Sequence, residues 1–144
     1  MRRITSLAFV LTCFAAPLAA WETPARGTET RSALMDAMRP HAEWLFNAPL
    51  VFRVNELRQQ GDVAFAMLEP IRPDGRPMAP SDLVIRGADT DDIFDYDGAA
   101  MQALYQRSGD TWVAVHWTVG ATDAWWYWTE YCATWSSVLP EVCD

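Results

Sequence analysis

The chain has 144 residues, 51% of them hydrophobic, and a formal net charge of −8. An acidic balance of this size repels phosphate backbones and anionic lipid, which argues against nucleic-acid and membrane-surface roles. All eleven basic residues are Arg, so Schiff-base and lysine-base chemistry has no side chain to use.

At the N-terminus, Arg2 and Arg3 precede an apolar run from Ile4 to Leu18, and then Ala19 and Ala20. A charged start, a short apolar stretch and a small-residue exit form a secretory signal peptide pattern, with cleavage expected after Ala20 or one residue away. The run is too short for a membrane span of about 20 residues, and no comparable run follows, so no membrane insertion is expected after cleavage. Lipidation at Cys13 is disfavoured, because Thr12 is a poor small residue and the apolar run continues past it. The expected mature protein is a single α+β domain over residues 21–144, periplasmic or secreted, with a charge of −10 once Arg2 and Arg3 are removed. A chain of that length buries roughly two thirds of its unfolded surface, enough for one core.

Residues 21–27 contain Pro24 and Gly27 and read as a loosely held arm. From Thr28 the pattern is helical. Leu34, Met38, His41 and Leu45 share one face, widened by Ala37, Ala42 and Phe46. Thr28 or Thr30 suits the N-cap, and Glu29 the first turn. Pro40 predicts a kink or restart near Arg39, and Asn47 and Pro49 stop the helix.

Leu50, Phe52 and Val54 alternate with Val51, Arg53 and Asn55, and Gln60-Gly61-Asp62 reads as a turn. The following strand carries Val63, Phe65 and Met67 on one side and Ala64, Ala66 and Leu68 on the other. It is apolar on both faces and so should be covered on both. A Pro/Gly-rich loop over 72–82 and the acidic stretch from Asp89 to Gly98 follow. A third strand is expected over Ala100–Arg107, a turn at Ser108-Gly109-Asp110, and a fourth strand over Thr111–Val119. Strict alternation there places Val113, Val115, Trp117 and Val119 on one face, and Trp112, Ala114, His116 and Thr118 on the other. A helix followed by four antiparallel strands predicts an α+β domain with the helix on one sheet face.

The segment "RSGDTWVAVHW" resembles the last hairpin of small NTF2-like or cystatin-like domains. "WVAVHWTVGATDAWW" resembles the tail of small exported bacterial proteins of unknown function. The resemblance covers about the last third of the chain. It implies a curved sheet wrapped around a helix, often leaving a pocket, and carries over no catalytic residue.

Within "ATDAWWYWTEYCATW", Trp125, Trp128, Cys132 and Trp135 fall on one side of a helix. A short helix capped by Thr122 or Asp123 is therefore expected, with Trp126, Tyr127 and Tyr131 off its inward seam. Cys132 and Cys143, the two cysteines of the mature chain, read as one disulfide; a redox pair usually sits closer, as Cys-x-x-Cys.

Possible chemistry is sparse. His41 and His116 are too far apart for a zinc-ligand spacing. Asp89, Asp91, Asp92, Asp95 and Asp97 suggest calcium. However, with Gly98 at the glycine position of an EF-hand, Ile93 and Leu104 stand where the first ligand and the terminal Glu belong. His116 can act as a base only beside an orienting carboxylate, such as Asp123 or an Asp of the acidic stretch, and no spacing points to one. No phosphate loop, nucleophile elbow or His-Glu-x-x-His motif is present, and no cofactor is implied. The expected function is therefore a binding module. Its aromatic patch or pocket, from Trp112, His116, Trp117, Trp126, Tyr127 and Tyr131, would take a small molecule, a sugar or a basic protein. The alternatives are an NTF2-like pocket enzyme using His116 with an Asp, and an inhibitor of a basic secreted enzyme such as a lysozyme.

Overall fold

The structure, a computed structural model, describes residues 21–84 and 97–143. Residues 1–20 and most of the acidic stretch, including Asp89, Asp91, Asp92 and Asp95, lie outside it.

The first helix, α1, spans Glu29–Phe46. Thr28 is extended, and its Oγ1 accepts from the Arg31 backbone N–H at 3.4 Å, while Glu29 places a carboxylate in the first turn. Leu34, Met38, Ala42 and Phe46 are buried at the i, i+4 spacing of one face, with Met35 beside them. Helix α1 runs through Pro40 as one element, with no restart near Arg39. Pro40 lacks the N–H that would bond the Asp36 carbonyl, and both residues are exposed, where such a loss costs least. Asn47 ends the helix in the left-handed region, at φ 47° and ψ 36°.

Four strands follow: β1 (Val51–Gln60), β2 (Val63–Ile71), β3 (Met101–Ser108) and β4 (Thr111–Val119). They form one open antiparallel sheet in the order β1-β2-β3-β4. Both hairpins turn on Gly-Asp, with φ of 56° at Gly61 and 61° at Gly109. A glycine with positive φ at the first of two loop positions is the chemistry of a type II′ turn, whose twist matches the sheet.

The central strands β2 and β3 are covered on both sides, as the two-faced apolar pattern of β2 predicts. Ala64, Ala66, Leu68, Met101, Ala103 and Tyr105 pack under α1. Phe65 and Leu104 point the other way, into a second cluster with Trp125, Tyr131, Trp135, Val138 and Leu139. The sheet thus lies between a helix and a C-terminal aromatic cap.

Two bulges break the alternation. In β1 the register shifts between Val54 and Glu56, leaving Asn55 extra. In β4, Leu104 pairs with His116 but Tyr105 pairs with Ala114, leaving Val115 extra. One extra residue swaps the faces of everything beyond it. Trp112 and Ala114 therefore share the helix face with Trp117 and Val119, while His116 turns to the cap. This corrects the uninterrupted alternation expected for β4.

The arm over residues 21–27 is tied down rather than loose. Glu22 and Gln59 exchange two backbone hydrogen bonds of 2.9 and 2.8 Å, extending the β1 edge, and Pro24 is buried. No helix among the described residues is long and apolar enough to cross a membrane.

Candidate functional site: the aromatic cap

The chain from Trp125 to Trp135 is not a single α-helix. It forms two 3-10 turns, Trp125–Tyr127 and Thr129–Tyr131, joined at an extended Trp128, and then one α-helical turn, α2 (Cys132–Trp135). No side chain caps the first turn, and Asp123 and Thr122 are exposed rather than acting as caps. A 3-10 turn repeats every three residues, so side chains that a 3.6-residue period would align drift apart.

The seam is redistributed accordingly. Trp125 and Trp135 are buried as expected, but Trp128, expected inward, is 52% exposed. Tyr131, expected off the seam, is only 8% exposed. Its ring meets Trp125 at 5.5 Å and Trp135 at 6.0 Å in edge contacts, and lies nearly parallel to Trp128 at 6.4 Å and 7°. Burial raises the Tyr131 hydroxyl pKa, and the adjacent Glu130 charge adds to it. Trp126 is half-buried against Phe65 at 5.6 Å, whereas Tyr127 remains 49% exposed.

Three contacts seat this cap on the sheet. The Trp135 indole Nε1–H donates to the Tyr105 carbonyl at 2.8 Å, beside the β4 bulge. Cys132 and Cys143 form the expected disulfide, with a Cα–Cα distance of 5.3 Å. The third is Arg58, which the sequence did not single out. Its guanidinium donates to the Val138 carbonyl at 2.9 Å and to both Glu141 oxygens at 2.7 and 2.8 Å, and also pairs with Glu56. It sits over the Trp21 ring at 5.2 Å and the Phe65 ring at 5.5 Å. Desolvation pulls its pKa down, but the hydrogen bonds and charges of Glu141 and Glu56 outweigh that and raise it. A β1 arginine followed by an alternating polar residue gives no local hint that its partner lies more than eighty positions away.

The six candidate residues fall into two groups on opposite faces of the sheet. Trp112, 7% exposed, and Trp117 belong to the helix-side core, where His41 packs on Trp117 at 4.8 Å with the rings tilted by 32°. Burial lowers the His41 pKa. His116, Trp126, Tyr127 and Tyr131 gather at the cap. His116 is exposed and packs at 5.0 Å on Tyr131 and 5.4 Å on Trp135. Among the described residues no carboxylate hydrogen-bonds His116, and no group of His, Cys, Asp and Glu is placed to hold a metal ion. Of the acidic stretch, Asp97 is described, with its backbone N–H on the Gly120 carbonyl at 2.9 Å.

The arrangement leaves Tyr127 and Trp128 about half exposed, with Trp128 against the buried Tyr131 ring, and the exposed Asp123 and Glu130 lie close by in the sequence. Such a surface can stack on a flat or cationic group without moving its own support. No family model, no curated protein and no solved structure matches this chain.

Proposed function

We propose that the protein is an exported binding module. Its contact surface is the Tyr127–Trp128 corner with His116 at its rim, and its occupant is an arginine- or lysine-bearing segment of a protein or peptide. The observation that carries this reading is Trp128, half exposed to water yet braced by the near-parallel Tyr131 ring. Indole faces attract cations best of the three aromatic rings, by about 0.5–1 kcal/mol at exposed sites and more once desolvated. Asp123, Glu130 and the net charge of −8 favour the same sign of partner. Export is supported by the signal-peptide pattern of residues 1–20 and by the disulfide, a bond that persists in oxidising compartments.

The test is fluorescence anisotropy of a labelled hexa-arginine peptide at low ionic strength. Trp128→Ala is expected to weaken binding about tenfold or more, as for a central interfacial Trp. Glu130→Gln should weaken it less and reduce its salt dependence. Equal binding by Trp128→Ala and the parent would refute the proposal.

A further inference from the structure

On the other face of the sheet, at the β1 edge, a cleft of about 540 Å³ opens between the start of α1 and β1. Its lining includes Arg26, Arg31, Arg39 and Arg53, over an apolar floor that includes Met35 and Phe52. Four of the chain's eleven arginines therefore converge on one cleft of an acidic protein. Like charges gathered this way repel unless something offsets them.

Carboxylates offset them only in part. Arg53 is paired, with Nη1 on Glu69 at 2.9 Å. Arg39 reaches Asp36 only at 3.4 Å, and that carboxylate is largely in water. Arg31 donates to a backbone carbonyl, that of Pro24, at 3.0 Å. Arg39 likewise donates to the Leu50 carbonyl at 2.8 Å and lies over the Phe52 ring at 6.0 Å. The Pro24 carbonyl orients Arg31 without cancelling its charge, while Arg39 is offset in part by Asp36, which also lines the cleft. Each guanidinium has five N–H donors, so donors remain on both. Among the described residues Arg26 forms no hydrogen bond or ion pair.

We infer that this cleft is a binding site for a small amphipathic oxyanion, a carboxylate or phosphate monoester carrying an apolar group. The guanidinium fork matches both headgroups in a bidentate manner. The cleft is open to solvent, and Met35 and Phe52 give the apolar body a partly buried surface to lie against. The site is separate from the Tyr127–Trp128 corner and takes the opposite charge.

Isothermal titration of the protein with phenyl phosphate, phenylacetate and inorganic phosphate tests the assignment. Both aromatic anions should bind more tightly than inorganic phosphate, and the tighter of the two identifies the headgroup. Arg31→Gln and Arg26→Gln, whose side chains do not join helix to strand, should each weaken binding on the order of tenfold, the loss of a charge-assisted hydrogen bond. Arg107→Gln, outside the cleft, and Trp128→Ala should leave it unchanged. The inference falls if none of the three anions binds at millimolar concentration, if Arg31→Gln and Arg26→Gln bind like the parent, or if Arg107→Gln weakens binding as much as they do.

Discussion

Trp135 and Trp128 stand seven residues apart and play opposite parts. Trp135 is buried, fills the cap's core and spends its indole N–H on the Tyr105 carbonyl. Trp135→Ala should cost about 3–5 kcal/mol in urea unfolding, from the cavity and the lost hydrogen bond. Trp128→Ala should cost less than about 1 kcal/mol, because half of that ring already faces water. His41 gives a pH signature. Burial lowers its pKa in the fold, so the unfolded chain binds the proton more readily. Its contribution is present above about pH 6.5 and is lost as pH falls through the lower folded value. His41→Gln should flatten the decline in stability on the acid side of pH 6.5. Tyr105 acts at the other end of the scale. Its buried hydroxyl is held neutral, so stability should fall as pH rises above about 10.

Among the elements, the C-terminal cap is the one whose attachment can be taken apart. The disulfide closes a loop of eleven positions, worth about 3 kcal/mol in the chain-entropy model. Arg58 links the cap to β1 through the Val138 carbonyl and Glu141, with its side chain 13% exposed. Arg58→Met should leave Glu141 and that carbonyl without this partner, and lower stability by about 1–3 kcal/mol, discounted because Glu141 is partly in water. Limited proteolysis should then cut first after residue 120. Helix α1, the two Gly-Asp hairpins and the doubly covered β2 were legible in the sequence, because each rests on local periodicity or local turn chemistry, and the disulfide because the expected mature chain has only two cysteines. The bulge at Val115 was not. Whether β4 gains a residue depends on its register against β3, which no property of "TWVAVHW" alone records. The 3-10 path of "WWYWTEY" was also hidden, since four consecutive aromatics fit several periods equally well.

At the scale of the whole molecule, the sheet separates two kinds of surface. The face under α1 opens at its β1 edge into a cleft rich in arginine, while the opposite face carries the aromatic cap. The net charge of −8 gave no sign that four arginines gather in one cleft. The candidate site was legible only as a list of aromatics. Which of them meet at one place depends on a bulge and on long-range contacts such as Trp135 to Tyr105, and the β4 bulge sends Trp112 and Trp117 to the core and His116 to the cap. On the proposed reading, Trp128 with Tyr127 forms the recognition surface of a cap whose other rings mainly pack. The most direct measurement is a proton–nitrogen correlation spectrum of the indole N–H groups during titration with hexa-arginine. The Trp128 resonance should shift in a saturable way while those of Trp112, Trp117 and Trp135 stay in place. A stationary Trp128 resonance at saturating peptide, or shifts confined to the buried indoles, would contradict the account.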